Sequence, residues 1–457
     1  MDIKNRKILI AGLGETGYDT AIFLLGRGAR VFVTEGRSGE KIGKKAAELS
    51  RMGARVETGG HTEEFARGAE ILVPSPGVPE KSLPLAMASR MGIPVLSEIE
   101  LAYAFSPSRK IISITGTDGK TTTSSMLGLM FCKAGLPYVV CGNIGNSFIG
   151  EVENISPETF VILEASSFQL EKTVSFRPFT ACLLNIDEDH LDRHVSFENY
   201  LSAKARMFFN QEKEDNAVIN YDDSNCRNLS EKTRARVFFF SREKKQAKGA
   251  YASKGAIYAS VNGVENAFST LGMHARGPGN IENSMACVIT SLLCGLDPAA
   301  IQEALSEFKP LAHRFEKVAE INGVLYINDS KATNPHSVMN ALKSVVNEGK
   351  AILIMGGQNK NVSFEKLVPM VRARVKALVL LGEASETIED GLKGSGVACF
   401  HVRDMGEAVR KSADKAEKGD WVILSPGCAS FDMFENYKER GDVFKKEVEL
   451  LQQASDN

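Results

Sequence analysis

Short apolar runs rich in β-branched residues recur along the chain. Each ends in a glycine-rich or acidic turn and is followed by a stretch long enough for a helix. They are KILIA at 7–11, RVFVT at 30–34, ILVP at 71–74, PVL at 94–96 and IISIT at 111–115. FVILE at 160–164, TACLLN at 180–185, VLYI at 324–327, AILIM at 351–355, ALVLL at 377–381 and WVIL at 421–424 continue the series. A run that is apolar at nearly every position, rather than at alternate ones, fits a strand covered on both faces, and the gaps between runs can supply the covering helices. The pattern predicts an α/β chain built on parallel sheets. Helical periodicity is expected over 196–207, and an apolar helix over 284–294 with the segment 277–283 as its cap, Asn280 and Asn283 sharing one face. Between 211 and 275 short alternating runs such as 256–261, with the charge-rich 241–248, predict hairpins and surface loops.

Three units follow from this spacing: 1–98, 99–310 and, after a proline-containing hinge at 308–311, 311–457. The first predicts a small Rossmann-like nucleotide-binding domain, the second opens on the central phosphate loop, and the third predicts another doubly wound sheet. The 457 residues leave room for about two to four domains. With 57 acidic against 55 basic residues, the chain lacks the basic field that nucleic acid or an anionic membrane selects. Eight dispersed cysteines without a C-x-x-C pair are expected as small core residues in a reducing compartment, not as a zinc cluster. The N-terminal residues enter a strand at once and no stretch approaches about 18 uncharged apolar residues, so the expected location is the cytoplasm without membrane insertion.

The strongest chemical signal is IISITGTDGKTTT at 111–123. Backbone amides around Gly116 and Gly119 can hold an anion, Lys120 can reach the outer phosphates, and Thr121 can ligate Mg²⁺. The strict G-x-x-x-x-G-K-[ST] spacing is not met, because Ile114 stands five before Gly119, so the loop is a compact variant. Near the N-terminus Gly12-Leu13-Gly14-Glu15-Thr16-Gly17 follows a strand, and Glu35 stands about 20 residues on, which by itself suggests NAD with the acid on a ribose diol. Glu164 closes one apolar run and His190 sits among Asp187, Glu188, Asp189 and Asp192 after another; Glu164 and His190 could hold a hard cation near the triphosphate. Asp187 and Asp192 are read as the N-cap chemistry of an acidic helix start. Lys204 on these grounds is an ordinary solvated helix residue.

The set TGTDGKTTT, LEASSFQLE, NIDEDHLDRH, LSAKARM, HRFE, INDSKATNP and SPGCASFD, in this order across nearly the whole chain, resembles the Mur ligases of peptidoglycan synthesis. Within them, SSFQLE, NDSKATN and SP-x-CASFD resemble the D-glutamate-adding branch. The resemblance implies an ATP-dependent ligase that phosphorylates a substrate carboxylate and lets an amino-acid amine attack the acyl phosphate, with UDP-N-acetylmuramoyl-L-alanine, D-glutamate and ATP as substrates and a monomer as the working form. By the same resemblance Gly116, Thr117, Asp118, Gly119, Lys120, Thr121 and Thr122, with Asn283, Arg314, Asp329 and Lys331, serve ATP. Thr121, Glu164, His190 and Lys204 serve two Mg²⁺ ions, Lys204 as a carbamate, and Lys120, His190 and Lys204 form the catalytic set. The glycine turn moves from NAD to a UDP-sugar, with Gly14, Glu15, Thr16, Glu35, Gly36, Arg37 and Gly77 near the uridine diphosphate and Asn143 and Ser166 guiding the substrate. Thr333, Lys360, Ser430, Phe431 and Tyr437 surround the D-glutamate.

Two positions and one stretch depart from the family pattern: Gly279 replaces a histidine, Glu35 stands where aspartate is more usual, and 356–361 departs from G-G-x-D-K-G. Two other classes stay open, a dinucleotide-dependent oxidoreductase and a nucleotide-switched binding module. Glu164, His190 and Lys204 favour the ligase, because a switch needs no second metal and a dehydrogenase needs no triphosphate.

Overall fold

The computed structural model describes residues 1–275, 277–345, 349–359 and 362–455, with Asp192 described by its backbone alone. The chain forms two compact units: one of Met1–Ile186, Glu198–Gly272 and Glu282–Ser306, the other of Asp187–Phe197, Met273–Ile281 and Glu307–Asn457. Its architecture is α/β with three separate sheets.

The first unit holds two of them. Strands β1 (Lys7–Ala11), β2 (Arg30–Glu35), β3 (Arg55–Thr58) and β4 (Ile71–Pro74) form a parallel sheet in the order β3-β2-β1-β4. The order reverses beside β1, which opens a crevice at the carboxyl ends of β1 and β4. The expected run at 94–96 is not a strand. It contributes one bridge, Leu72 to Val95, because Ser97 already caps the helix Glu98–Phe105, its hydroxyl accepting from Glu100 N at 3.2 Å.

The second sheet has nine strands: β5 (Ile111–Thr115), β6 (Tyr138–Gly142), β7 (Phe160–Glu164), β8 (Thr180–Leu183), β9 (Asn216–Asn220), β10 (Arg236–Ser241), β11 (Gly249–Ser253), β12 (Ala256–Val261) and β13 (Val264–Ser269). Their order is β13-β12-β11-β10-β9-β8-β5-β7-β6, parallel from β6 to β11 and antiparallel at the β12 and β13 edge. Of the span 211–275, expected as hairpins and surface loops, only β11 to β13 pair as hairpins; β9 and β10 are parallel strands inside the sheet, and β9 is buried at every residue. The central strand β5 is buried at every residue and flanked by β7 and β8, so three strand ends converge beside the loop that leaves it.

Three local expectations are corrected. The helix expected over 284–294 runs Pro278–Leu293, because Pro278 already has a helical φ and lacks the N–H that a first turn leaves unused; Asn280 and Asn283 lie inside the helix and not in its cap. The helix expected over 196–207 is Phe197–Ala205 followed by a 3₁₀ turn, and Lys204 is not solvated: it is 1% exposed, on the face that buries Tyr200, Ala203 and Ala205. Asp187 does not cap a helix. The short helix Leu191–His194 follows His190 in the left-handed region (φ 55°), and the Asp187 carboxylate accepts from Glu188 N at 2.8 Å and lies 3.8 Å from Lys366 Nζ. The Asp192 side chain lies outside the described residues.

The second unit carries β14 (Glu316–Ile321), β15 (Val324–Asn328), β16 (Ala351–Gly356), β17 (Val375–Leu381), β18 (Ala398–His401) and β19 (Trp421–Gly427) in the order β14-β15-β19-β16-β17-β18. All pairs are parallel except the β14–β15 hairpin. Alternate residues feed two cores, Leu353, Leu378 and Ile423 on one face and Ile352, Val379 and Val422 on the other, which is why these strands read as unbroken apolar runs.

Arg440, in the helix Tyr437–Ser455, is 2% exposed and holds the carboxyl edge of this sheet together. Its guanidinium donates to the carbonyls of Ser330 (2.8 Å), Gly356 (3.3 Å), Cys428 (3.2 Å) and Ala429 (3.3 Å) and to Ser330 Oγ (3.0 Å), so one side chain joins the loops after β15, β16 and β19. Burial lowers its pKa to about 10, which leaves it charged at neutral pH. Arg440→Met keeps the stem and removes the donors. It should destabilise the protein by roughly 2–5 kcal/mol, given about 1–3 kcal/mol per stranded buried carbonyl, and urea unfolding measures it; a loss under 0.5 kcal/mol would show that the loops hold themselves.

Candidate functional site

The buried strand β5 turns into Gly116-Thr117-Asp118-Gly119 and then into the helix Lys120–Lys133. Gly119 has φ 83°, and the amide of Asn283 occupies the space a Cβ would take, so both the backbone and the packing require glycine. Asn185, just past β8, braces the turn: its carbonyl accepts from Thr117 N (2.9 Å), its Oδ1 from Asp118 N (2.8 Å), and its Nδ2 donates to Asp118 O (3.2 Å). Two ammonium groups converge on one carbonyl. Lys120 Nζ donates to Gly116 O (2.7 Å) and Thr117 O (2.8 Å), and the buried Lys204 Nζ to Gly116 O (2.8 Å) and Thr115 Oγ1 (3.4 Å). The Lys204 ammonium also lies 4.6 Å from the Tyr200 ring centre, and the Tyr200 hydroxyl is 3.0 Å from Thr117 Oγ1. A tight turn at a helix N-terminus carrying two cations is built for a polyanion.

Glu164 ends β7, at the neighbouring strand end, and is 1% exposed. Its Oε1 accepts from Asn143 Nδ2 at 2.8 Å, its carbonyl accepts from Asn143 N at 2.8 Å, and its Oε2 is buried without a hydrogen bond. A buried carboxylate oxygen with no donor is costly unless a cation meets it. Among the described residues no three His, Cys, Asp or Glu side chains gather into a metal cage. One carboxylate beside a phosphate loop is, however, a donor set suited to Mg²⁺, which keeps waters and phosphate oxygens in its shell. Thr121 stands in the first turn of the helix after the loop. Ser166 caps the helix Ser167–Glu171 in a reciprocal pair with Gln169.

His190 belongs to the second unit, where Asp189 orients it: Asp189 Oδ1 accepts from His190 N at 2.9 Å and Oδ2 lies 3.6 Å from His190 Nε2. Asn334 Nδ2 donates to the same carboxylate at 3.3 Å. In this unit Asp329 accepts from Phe315 N (3.1 Å) and Ser425 Oγ (3.1 Å), and Lys331 Nζ sits 4.1 Å over the Tyr437 ring. Arg314 N donates to Leu311 O at 3.1 Å. Thr333 is half-buried, Ser430 buried and Phe431 69% exposed. Lys360 lies outside the described residues.

On the first sheet, Gly14 stands at the N-terminus of the helix Glu15–Gly26, Glu15 pairs with Lys45 (2.7 Å), Thr16 O accepts from Thr20 Oγ1 (2.7 Å), and Gly77 is exposed in the loop after β4. Glu35 ends β2 with both carboxylate oxygens engaged inside the protein. Oε2 accepts from Leu13 N (2.8 Å) and Arg37 Nη2 (3.2 Å), and Oε1 from Arg37 N (3.0 Å) and Arg37 Nε (3.0 Å). The carboxylate thus ties the glycine turn to the Gly36-Arg37 loop. Burial pushes its pKa up, but the Arg37 side chain, the two backbone amides and the Arg37 charge outweigh burial and hold it at about 2.

Asn185, Tyr200 and Arg440 are absent from the set read off the sequence. Asn185 left a trace, as the polar end of the run at 180–185, whereas Tyr200 and Arg440 look like ordinary residues of amphipathic helices.

Three family models match: Mur ligase MurD-like, N-terminal domain at residues 6–97, Mur ligase middle domain at 114–291, and Mur ligase, glutamate ligase domain at 313–428. The chain belongs to the Mur ligase family. It is 40% identical to the UDP-N-acetylmuramoylalanine–D-glutamate ligase of Caldanaerobacter subterraneus over 451 residues, 98% of this chain and 99% of that one. It is 42% identical to the enzyme of the same name from Geotalea daltonii, over 99% of each chain. Solved structures share the fold: a pseudomurein peptide ligase type C from Methanothermus fervidus (TM-score 0.62, 17% identity, 98% and 100% coverage) and a MurF ligase from Thermotoga maritima in complex with ADP (TM-score 0.60, 16% identity, 99% and 100% coverage).

The low pKa of Glu35 gives a signed pH dependence. A carboxylate that titrates near 4.5 when unfolded and about 2 when folded adds stability that is complete above pH 4.5 and is lost as pH falls toward 2. The melting temperature of Glu35→Gln should therefore lie below that of the wild type at pH 6, and the gap should close on acidification toward pH 3. A gap that is constant with pH would show that the carboxylate charge is not what holds the loop.

Proposed function

We propose that this protein joins the amine of D-glutamate to the terminal carboxylate of UDP-N-acetylmuramoyl-L-alanine, forming an amide at the expense of ATP. The reading rests on full-length likeness to two D-glutamate ligases and, within the molecule, on the turn 116–119 with two lysines on its carbonyls and the unsatisfied Glu164 Oε2 at the adjoining strand end.

In the first step a carboxylate oxygen of the UDP-substrate attacks the γ-phosphorus of ATP, the bond to the β–γ bridging oxygen breaks, and ADP leaves. In the second the amine of D-glutamate attacks the acyl carbon, and the tetrahedral intermediate collapses with loss of inorganic phosphate and a proton. Carboxylate and γ-phosphate are both anionic, so their approach needs positive charge. Lys120 and the N-terminus of the helix Lys120–Lys133 supply part of it, with preorganised dipoles that need no rearrangement as charge develops. Thr121, Glu164, His190 and Lys204 would hold Mg²⁺, as two ions, which would neutralise further phosphate charge. Lys204 as a carbamate would convert a buried cation into an anionic ligand. Asn283, Arg314, Asp329 and Lys331 bind the nucleotide. Gly14, Glu15, Thr16, Glu35, Gly36, Arg37 and Gly77 take the uridine diphosphate, and Asn143 and Ser166 guide the acyl end. Free D-glutamate brings two carboxylates and one amine; Lys360, Thr333, Ser430 and the N–H of Phe431 offer the matching donors, with Tyr437 against the aliphatic stem. The protein works as a monomer in the cytoplasm. No helix among the described residues is long and apolar enough to cross a membrane.

Two measurements test this reading. With ATP, Mg²⁺ and UDP-N-acetylmuramoyl-L-alanine, D-glutamate should be incorporated in preference to L-glutamate, L-alanine or a diamino acid, as read by product mass. Preference for another amino acid would move the chain to another branch of the family. Lys204→Ala should lose nearly all turnover while keeping a cooperative melt, and a small added carboxylic acid should restore part of it by replacing the anion; full activity without rescue would remove Lys204 from the metal site.

A further inference from the structure

His61 follows β3 in the turn Gly59-Gly60-His61-Thr62, and none of the roles assigned above uses it. The Nε2 edge of its ring faces Gly36, with Nε2 3.0 Å from the point where a Cβ on residue 36 would stand. The imidazole therefore takes the place of a side chain between Glu35 and Arg37. A Cβ at residue 36 would be tight against the ring, which would have to give by a few tenths of an ångström.

The other ring nitrogen is held in one state. Nδ1 is 2.6 Å from Thr34 Oγ1, and the same hydroxyl is 2.7 Å from Glu57 Oε1. A carboxylate can only accept, so the Thr34 proton goes to Glu57 and the hydroxyl meets Nδ1 with a lone pair. Nδ1 must then carry the ring proton. Glu57 is itself fixed by Thr62, whose N and Oγ1 donate to it at 3.2 and 2.8 Å, and Thr34 is a 2% exposed residue of β2. In neutral His61 this leaves Nε2 as an acceptor, and among the described residues no group donates to it.

We propose that His61 reads the base of the nucleotide-linked substrate, Nε2 accepting the N3–H of uracil. This rests on the reading of 35–37 as the uridine end of the site. Uracil presents N3–H as a donor between two carbonyl acceptors, whereas cytosine presents a bare N3 at that position. A fixed Nε2 lone pair pairs with the first and opposes the second. The discrimination comes from an unpaired, mismatched acceptor and not from shape alone.

Calorimetric titration with UDP, CDP and 3-methyluridine diphosphate, which lacks the N3–H, tests this in wild type, His61→Ala and Thr34→Val. Wild type should prefer UDP to both analogues by about tenfold or more, the value of one good hydrogen bond and its mismatch. His61→Ala should reduce that preference to near unity. Thr34→Val, which keeps shape but frees the tautomer, should fall between the two. Because the preference is a ratio measured on one sample, partial unfolding of a variant does not move it. UDP binding by the wild type with an undiminished preference in His61→Ala overturns the role of His61 alone. Failure of the wild type to bind UDP overturns the uridine reading and this role together.

Discussion

The candidate site depends on keeping the backbone of 116–119 in the turn that carries β5 into the helix Lys120–Lys133. Such a turn is unfavourable by itself, because its carbonyls and amides are taken out of regular pairing at the end of a buried strand. Asn185 supplies the missing pairs from the next strand, accepting from and donating to the same residue, Asp118. Lys204 closes the other side on Gly116 O. The loop is thus preorganised by its neighbours, and binding energy need not be consumed in shaping it.

The same device appears on each of the three sheets. On the first, the Glu35 carboxylate gathers the glycine turn and the Arg37 loop; on the second, the Asn185 amide gathers the phosphate loop; on the third, the Arg440 guanidinium gathers three loops. In every case one side chain, anion, amide or cation, bonds to backbone groups of loops at the carboxyl edge of a sheet, where α/β folds place their ligands, although Glu35 makes as many bonds to the Arg37 side chain. The chemistry of each brace matches its targets. Leu13 and Arg37 offer amides to an anion, whereas Ser330, Gly356, Cys428 and Ala429 offer carbonyls to a cation.

Glu164 contrasts with these braces. Both oxygens of Glu35 are hydrogen-bonded inside the protein and its pKa falls to about 2. Glu164 is as deeply buried but keeps one oxygen without a donor, a cost that the proposed metal role would offset. Sequence position cannot separate the two residues, since both are acids closing an apolar strand.

The sequence alone determined the α/β class, most strands of the first and third sheets and the phosphate loop, because these follow from local periodicity and from glycine and lysine at fixed spacing; it left out β3, β6, β9, β10 and β18, which are less uniformly apolar or lie where hairpins were expected. It also carried the family, through motifs spread over the whole chain. It misjudged the start of the helix Pro278–Leu293, the run at 94–96 and the exposure of Lys204, where a proline, a serine cap and burial against β5 decide the outcome. Only the tertiary structure revealed what Asn185, Arg440 and His61 bond to. Each acts on residues far away in sequence: Asp118 is 67 positions from Asn185, Ser330 is 110 from Arg440, and Thr34 is 27 from His61. No local pattern encodes such a partner, because a hydrogen bond between distant segments exists only once the sheets have brought their edges together.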